Sequence, residues 1–186
     1  MQRKDMRYQK ILYERFYGYA LKIAFRYVYR YDAAKDIVND GFVKLFRQID
    51  KFSYKGKGFP EQLSVAWIKQ IIVNASVHEL LRNKMNPEMD DIPEYVWEET
   101  ENNQKADQAL LYKELISHLK NLPPVYRIVF NMFVIDGFTH FYIANTLGIS
   151  VADSMSNLSS ARDILKKLIY KKEHILYSAI SSMDYQ

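Results

Sequence analysis

Apolar residues recur at helical spacing along most of the chain. Between Tyr8 and Tyr31, Ile11, Leu12, Phe16, Tyr19, Ala20, Ile23 and Tyr27 follow a 3.6-residue period and predict a first helix. Asp32 is the expected N-cap of a second helix, Ala33 to Gln48. That helix buries Ile37, Val38, Phe42, Leu45 and Phe46 and turns Asp36, Asn39, Asp40 and Lys44 outward. Ser53-Tyr54-Lys55-Gly56-Lys57-Gly58 has no apolar period and reads as a loop. Pro60 suits the first turn of a third helix, roughly 60–84, whose Val65, Trp67, Ile68, Ile71, Ile72 and Leu80 supply core. A fourth helix is expected over 108–120. Leu122-Pro123-Pro124 breaks it, and Pro124 opens a fifth helix to about Ile135. Asp136-Gly137 is a turn. Thr139 caps a short helix to Leu147, Gly148 turns the chain, and Ser150 caps a long final helix.

The charge is segregated, and this divides the chain. Residues 1–86 hold 17 Lys and Arg against 8 acids. Residues 87–107 hold one Lys against 8 acids, with Pro87, Pro93, Asn102 and Asn103 among them. Residues 108–186 hold 8 cations against 6 acids. The acidic stretch reads as an extended linker. The expected fold class is all-α: two small helical domains, 1–86 and 108–186, joined by an acidic flexible linker over 87–107, with a helix-turn-helix in the second.

The 186 residues include no cysteine, which removes disulfides, thiolate metal sites and thiol catalysis. No run of 18 apolar residues is present, and the polar start MQRKDMRYQK is unlike a signal peptide, so the expectation is a cytoplasmic protein with no membrane insertion. His78, His118, His140 and His174 lack metal-ligand spacing, and no glycine-rich phosphate loop exists. No enzyme, cofactor or metal is expected.

Residues 138–165 have the outline of a helix-turn-helix, which a plain helical hairpin shares. Ala144 is small where the helices cross, Gly148 admits positive φ, and Ile149 can plug the core beneath. Ser154, Leu158, Ala161, Leu165 and Leu168 form one inward stripe.

This segment carries a resemblance. Leu122-Pro-Pro-Val-Tyr-Arg-Ile-Val-Phe, Asp136-Gly-Phe-Thr and Ile143-Ala-Asn-Thr-Leu-Gly-Ile-Ser look like the C-terminal domain of bacterial sigma factors of the sigma-70 family, in particular the small extracytoplasmic-function (ECF, group 4) type. Asp32-Ala-Ala-Lys-Asp-Ile-Val-Asn-Asp-Gly-Phe-Val-Lys-Leu-Phe resembles the helix by which these factors grip the RNA polymerase clamp. Ala66-Trp-Ile-Lys-Gln-Ile-Ile-Val-Asn-Ala, followed by Arg82, resembles the helix that faces the melted promoter. The resemblance implies a transcription initiation factor that binds core RNA polymerase and promoter DNA and opens the promoter. It implies polymerase contacts at Asp36, Asn39, Asp40 and Lys44. It implies downstream promoter contacts at Lys55, Lys57, Phe59, Trp67, Lys69, Asn74 and Arg82. The lysines offer phosphate charge and Phe59 a stacking face for single-stranded bases. Each of these has an ordinary alternative: a solvated helix face at Asp36, a solubilising loop at Lys55, a core Trp67, a surface Asn74. The acidic linker suits a basic nucleic-acid channel or serves as a plain spacer.

The upstream DNA-reading helix departs from the family. The positions read as outward are Ala152, Asp153, Met155, Ser156, Asn157, Ser159, Ser160 and Asp163, none of them basic. The family usually has Lys or Arg at the positions of Met155 and Ser160, and a charged pair where this chain has Phe141 and Tyr142. Gln70 and His78 likewise replace residues that are commonly basic and acidic. Losing phosphate contacts costs orders of magnitude in DNA affinity. Two readings follow for the surface of Phe141, Tyr142, Asp153, Met155, Ser156, Asn157 and Ser160. In one, a diverged factor reads a weak element through Asn157 and water, under anti-sigma control. In the other, a DNA-bound partner recruits the factor, an RNA-guided nuclease-dead CRISPR effector being the most specific form. A sigma-like adaptor that binds polymerase without initiating is a third possibility.

Overall fold

The computed structural model describes the backbone of residues 2–49, 61–83 and 106–183, and side-chain surroundings over 6–48, 65–83 and 112–170. All regular structure among these residues is helical. The chain divides into two compact units, residues 1–104 and 105–186.

The first unit has three helices: α1 (Gln2–Val28), α2 (Tyr31–Ile49) and α3 (Glu61–Arg82). α1 starts earlier than its apolar period predicts, because Gln, Arg, Lys and Met are good helix formers. A Lys10–Glu14 pair at 3.6 Å adds to it. Leu12, Phe16, Ala20, Ile23 and Tyr27 are buried as expected, whereas Ile11 is 60% exposed. Leu21, Ala24, Phe25, Val28 and Tyr29 are buried too, so from Ala20 to Tyr29 only Lys22 keeps partial exposure. A helix buried nearly all round, Arg26 included, needs cover all round, and both α2 and α3 pack on it.

The α1–α2 reversal turns on Tyr29, buried with φ 51°, a left-handed conformation that costs a non-glycine residue about 1–2 kcal/mol. Its ring lies 6.0 Å from Phe25. The Ala34 N–H donates to the Arg30 carbonyl at 2.9 Å, so Arg30, not Asp32, stands at the start of α2. Asp32 lies in the first turn, where its charge still favours the helix N-terminus, and pairs with Lys35 at 3.7 Å. Phe46 is only half-buried; the rest of the predicted α2 core is buried. On α3, Ile68, Ile72 and Leu80 are buried, joined by Val73, Ser76 and Val77, while Val65, Trp67 and Ile71 are half-buried.

Glycine at position 41 sets how closely α2 and α3 approach. A Cβ there would sit 2.5 Å from Ile72 Cδ1, inside any real carbon contact.

The second unit holds α4 (Ala106–Lys120), α5 (Pro124–Phe130), α6 (His140–Leu147) and α7 (Val151–Met183). The predicted fifth helix does not stay α-helical: Asn131–Ile135 widens into a π-turn. The Asp136 N–H donates back to the Asn131 carbonyl at 2.9 Å, and Asn131 is fully buried. Periodicity cannot reveal one extra residue in a turn. Arg127 is also buried, and its Nη1 donates to the Lys120 carbonyl at 3.1 Å, tying α5 to the last turn of α4. Leu158, Ala161 and Leu165 of α7 bury as predicted, with Ile143 and Ala144 of α6; Leu168 and Ile149 are half-buried.

The Gly41 contact has a specific test. Gly41→Ala should lower the unfolding midpoint. Ile72→Val removes only Cδ1, the atom that a Cβ at 41 would strike, and by itself should cost about 0.5–1.5 kcal/mol. In the Gly41→Ala background it should cost less or stabilise, measured by urea unfolding as a double-mutant cycle.

Candidate functional site

Helical spacing gathers one set of the predicted residues. Asp36, Asn39, Asp40 and Lys44 are all exposed on α2. Val43 (46% exposed) and Arg47 continue the ridge at i, i+4, i+7 and i+11 from Asp36. These two were absent from the sequence expectation, although extending the same spacing by two steps finds them. Asp36 and Asp40 have no cation within ion-pair distance among the described residues, unlike Asp32, Glu14 and Glu79. Two carboxylates left without counter-charges beside an exposed valine form a surface suited to a basic partner. Asn39 is tied across the helix pair: Tyr13 Oη donates to its Oδ1 at 2.9 Å.

The residues expected at downstream promoter DNA do not share one face. Trp67 and Asn74 lie seven positions apart on the outer side of α3, with Gln70 and His78 between and beyond them. Lys69 is two positions past Trp67, about 200° around the helix, and half-buried on the inward side. Arg82 is exposed but paired with Glu79 at 2.6 Å, and Glu79 also accepts from Asn83 Nδ2 at 2.9 Å. Lys55, Lys57 and Phe59 lie outside the described residues, as does the linker up to residue 105.

On α6 and α7 the outward set is thinner than the sequence reading had it. Phe141 is 69% exposed and Met155 54%. Tyr142 is half-buried, its ring stacked on Phe138 at 4.7 Å and 12°. Asn157 and Ser160 are half-buried; Ser156 is exposed. Arg162 is exposed, which corrects the reading of this face as wholly without cations. Arg127 and Asp136 are buried, so neither adds to the exposed charge of this unit.

Asp153 has a structural task. Its Oδ2 accepts from the Ser150 N–H (3.2 Å) and Ser150 Oγ (2.7 Å), while Ser150 Oγ accepts from the Asp153 N–H (3.0 Å). This reciprocal capping box starts α7. The hydrogen bonds from Ser150 hold the Asp153 carboxyl below its ordinary value. At the other end of the turn, Thr139 Oγ1 accepts from the Tyr142 N–H at 3.2 Å, and Gly148 closes α6 at φ 67°. His140 joins the two helices through Nδ1 and Ser154 Oγ at 2.9 Å, its ring stacked 4.2 Å from Phe133.

With that geometry in view, comparison with known proteins assigns the first unit. Residues 12–85, which span most of α1 and all of α2 and α3, match the model of sigma-70 region 2. This segment carries a sigma-70 region 2 domain. The match places the exposed α2 ridge and the outer side of α3 inside that domain. Among solved structures, the sigma factor RpoE of Bartonella quintana, in complex with the anti-sigma factor NepR, has a similar fold. The TM-score is 0.54 at 17% identity, over 87% of this chain and 96% of that one. No curated protein sequence matches the chain. No described helix is long and apolar enough to cross a membrane.

The capping box gives a pH test with a defined sign. The Asp153 pKa is lowered in the folded state, so the cap's contribution is complete above the ordinary carboxyl value of about 3.9 and is lost as pH falls through the lower folded value. An NMR titration should place the Asp153 midpoint below that of a free aspartate. Ser150→Ala should move it back and destabilise α7 by about 1 kcal/mol.

Proposed function

We propose that this chain is an ECF-type transcription initiation factor that acts in the cytoplasm without catalysis of its own. It binds core RNA polymerase through the α2 ridge and directs promoter opening. The observation that carries this reading is the coincidence of two facts. The sigma-70 region 2 match covers α2, and α2 bears Asp36, Asp40 and Val43 exposed with neither acid ion-paired among the described residues. Reversing both acids with Asp36→Lys and Asp40→Lys should abolish capture of core polymerase while the domain stays folded. Retained capture by the folded variant would remove this assignment.

The second unit supports recruitment by a DNA-bound partner, with an RNA-guided nuclease-dead CRISPR effector as the most specific form. Asp153 is engaged in capping and carries negative charge, and Arg162 is the one exposed cation between residues 138 and 165. Phosphate contacts of that scarcity give weak intrinsic affinity, which effective concentration on a partner replaces. Phe141 and Met155 offer apolar area for a protein contact. The RpoE likeness favours a second reading: a factor that reads its own promoter under anti-sigma control, as RpoE is held by NepR. Holoenzyme footprinting on genomic promoters with no other protein present separates the two. Recruitment gives weak upstream protection and a loss of partner-dependent activity in Phe141→Ser. Strong, sequence-specific and steeply salt-dependent upstream protection would establish the second reading instead.

A further inference from the structure

Tyr13 of α1 reaches across to the α2 ridge. Its ring is clamped from both helices, 5.1 Å from Tyr17 and 4.9 Å edge-on to buried Phe42. Its hydroxyl donates to Asn39 Oδ1 at 2.9 Å. Burial raises the phenol above its ordinary value, so the O–H remains a donor throughout the working pH range. With Oδ1 occupied, the amide Nδ2 keeps both its donors, and it has no partner among the described residues.

We infer that Tyr13 is a positioning residue for the polymerase-facing surface: it fixes the Asn39 side chain so that Nδ2 is presented to the partner beside Asp36 and Asp40. The inference rests on the α2 reading above. An exposed asparagine on a helix otherwise samples several rotamers, and a partner would have to order it on binding. A hydrogen bond from a ring packed against Tyr17 and Phe42 reduces that ordering cost beforehand. The chemistry of the partner surface follows. Asp36 and Asp40 call for cations, while Nδ2 calls for an acceptor, so the facing patch of core polymerase carries basic groups with a carbonyl or carboxylate oxygen beside them.

Tyr13→Phe deletes the hydroxyl and keeps the ring. Affinity for core polymerase and the melting temperature are measured for Tyr13→Phe, Asn39→Ala and the double variant in the full chain. Tyr13→Phe should weaken binding about fivefold, the size of one modest hydrogen bond. The melting temperature should barely move, and the same substitution in the Asn39→Ala background should have no further effect. A purely structural Tyr13 would lower the melting temperature and weaken binding equally in both backgrounds, which overturns the inference. Wild-type affinity in Tyr13→Phe overturns it as well. The Asp36→Lys, Asp40→Lys variant serves as the control. If that variant still binds, the α2 reading fails and this inference with it. If it loses binding while Tyr13→Phe is unaffected, only the role of Tyr13 fails.

Discussion

Between Ala20 and Tyr29, α1 is buried on nearly all sides, and the first unit is arranged around that requirement. A helix buried over nearly its whole circumference must be covered by others, which draws α2 and α3 onto it. For both to fit, the chain must reverse abruptly after Val28, so Tyr29 takes a left-handed conformation that its buried ring secures. The two covering helices must also touch each other closely, and Gly41 permits it by leaving room for Ile72. The outer side of α2 is what remains once these demands are met. Its acids and its one exposed valine have no structural task among the described residues, which is why the ridge is available to a partner.

The second unit reaches definition by polar means. Arg127, Asn131, Asp136 and Ser154 are all buried in it, and each occupies a place where helices end, widen or cross. The Arg127 guanidinium fastens α5 to α4, the π-turn returns the Asp136 N–H to the Asn131 carbonyl, and His140 meets Ser154 between α6 and α7. Buried polar groups demand partners at defined angles, so such contacts fix geometry more narrowly than apolar packing does. The capping box at Ser150 and Asp153 extends this to the surface. A carboxylate that looks from sequence like part of a recognition face is committed to starting the helix. The α6–α7 pair is therefore well specified as structure while its exposed face stays poor in cations.

The two units differ in what a partner would find. α2 offers Asp36 and Asp40, neither ion-paired among the described residues, and an amide held by Tyr13, a surface rich in directed polar groups. α6 and α7 offer Phe141 and Met155 with few charges nearby. The first suits an electrostatically guided association, the second a contact governed by apolar area.

Sequence alone determined the helical class, the order of the elements and several of their ends, though not the starts of α1 and α2 or the close of α5. Those depend on local chemistry: Pro124 at a helix start, Thr139 and Ser150 as caps, Gly148 where φ is positive, and apolar residues repeating every 3.6 positions. It also identified the α2 ridge, because residues four apart on a helix share a face whatever surrounds it. Tertiary structure decided the rest. It joined Tyr13 to Asn39 across 26 positions, set the Arg127 guanidinium on the Lys120 carbonyl and brought His140 to Ser154. Each of these depends on which helix lies opposite or on where a side chain finds its nearest partner. One-dimensional spacing carries no record of either.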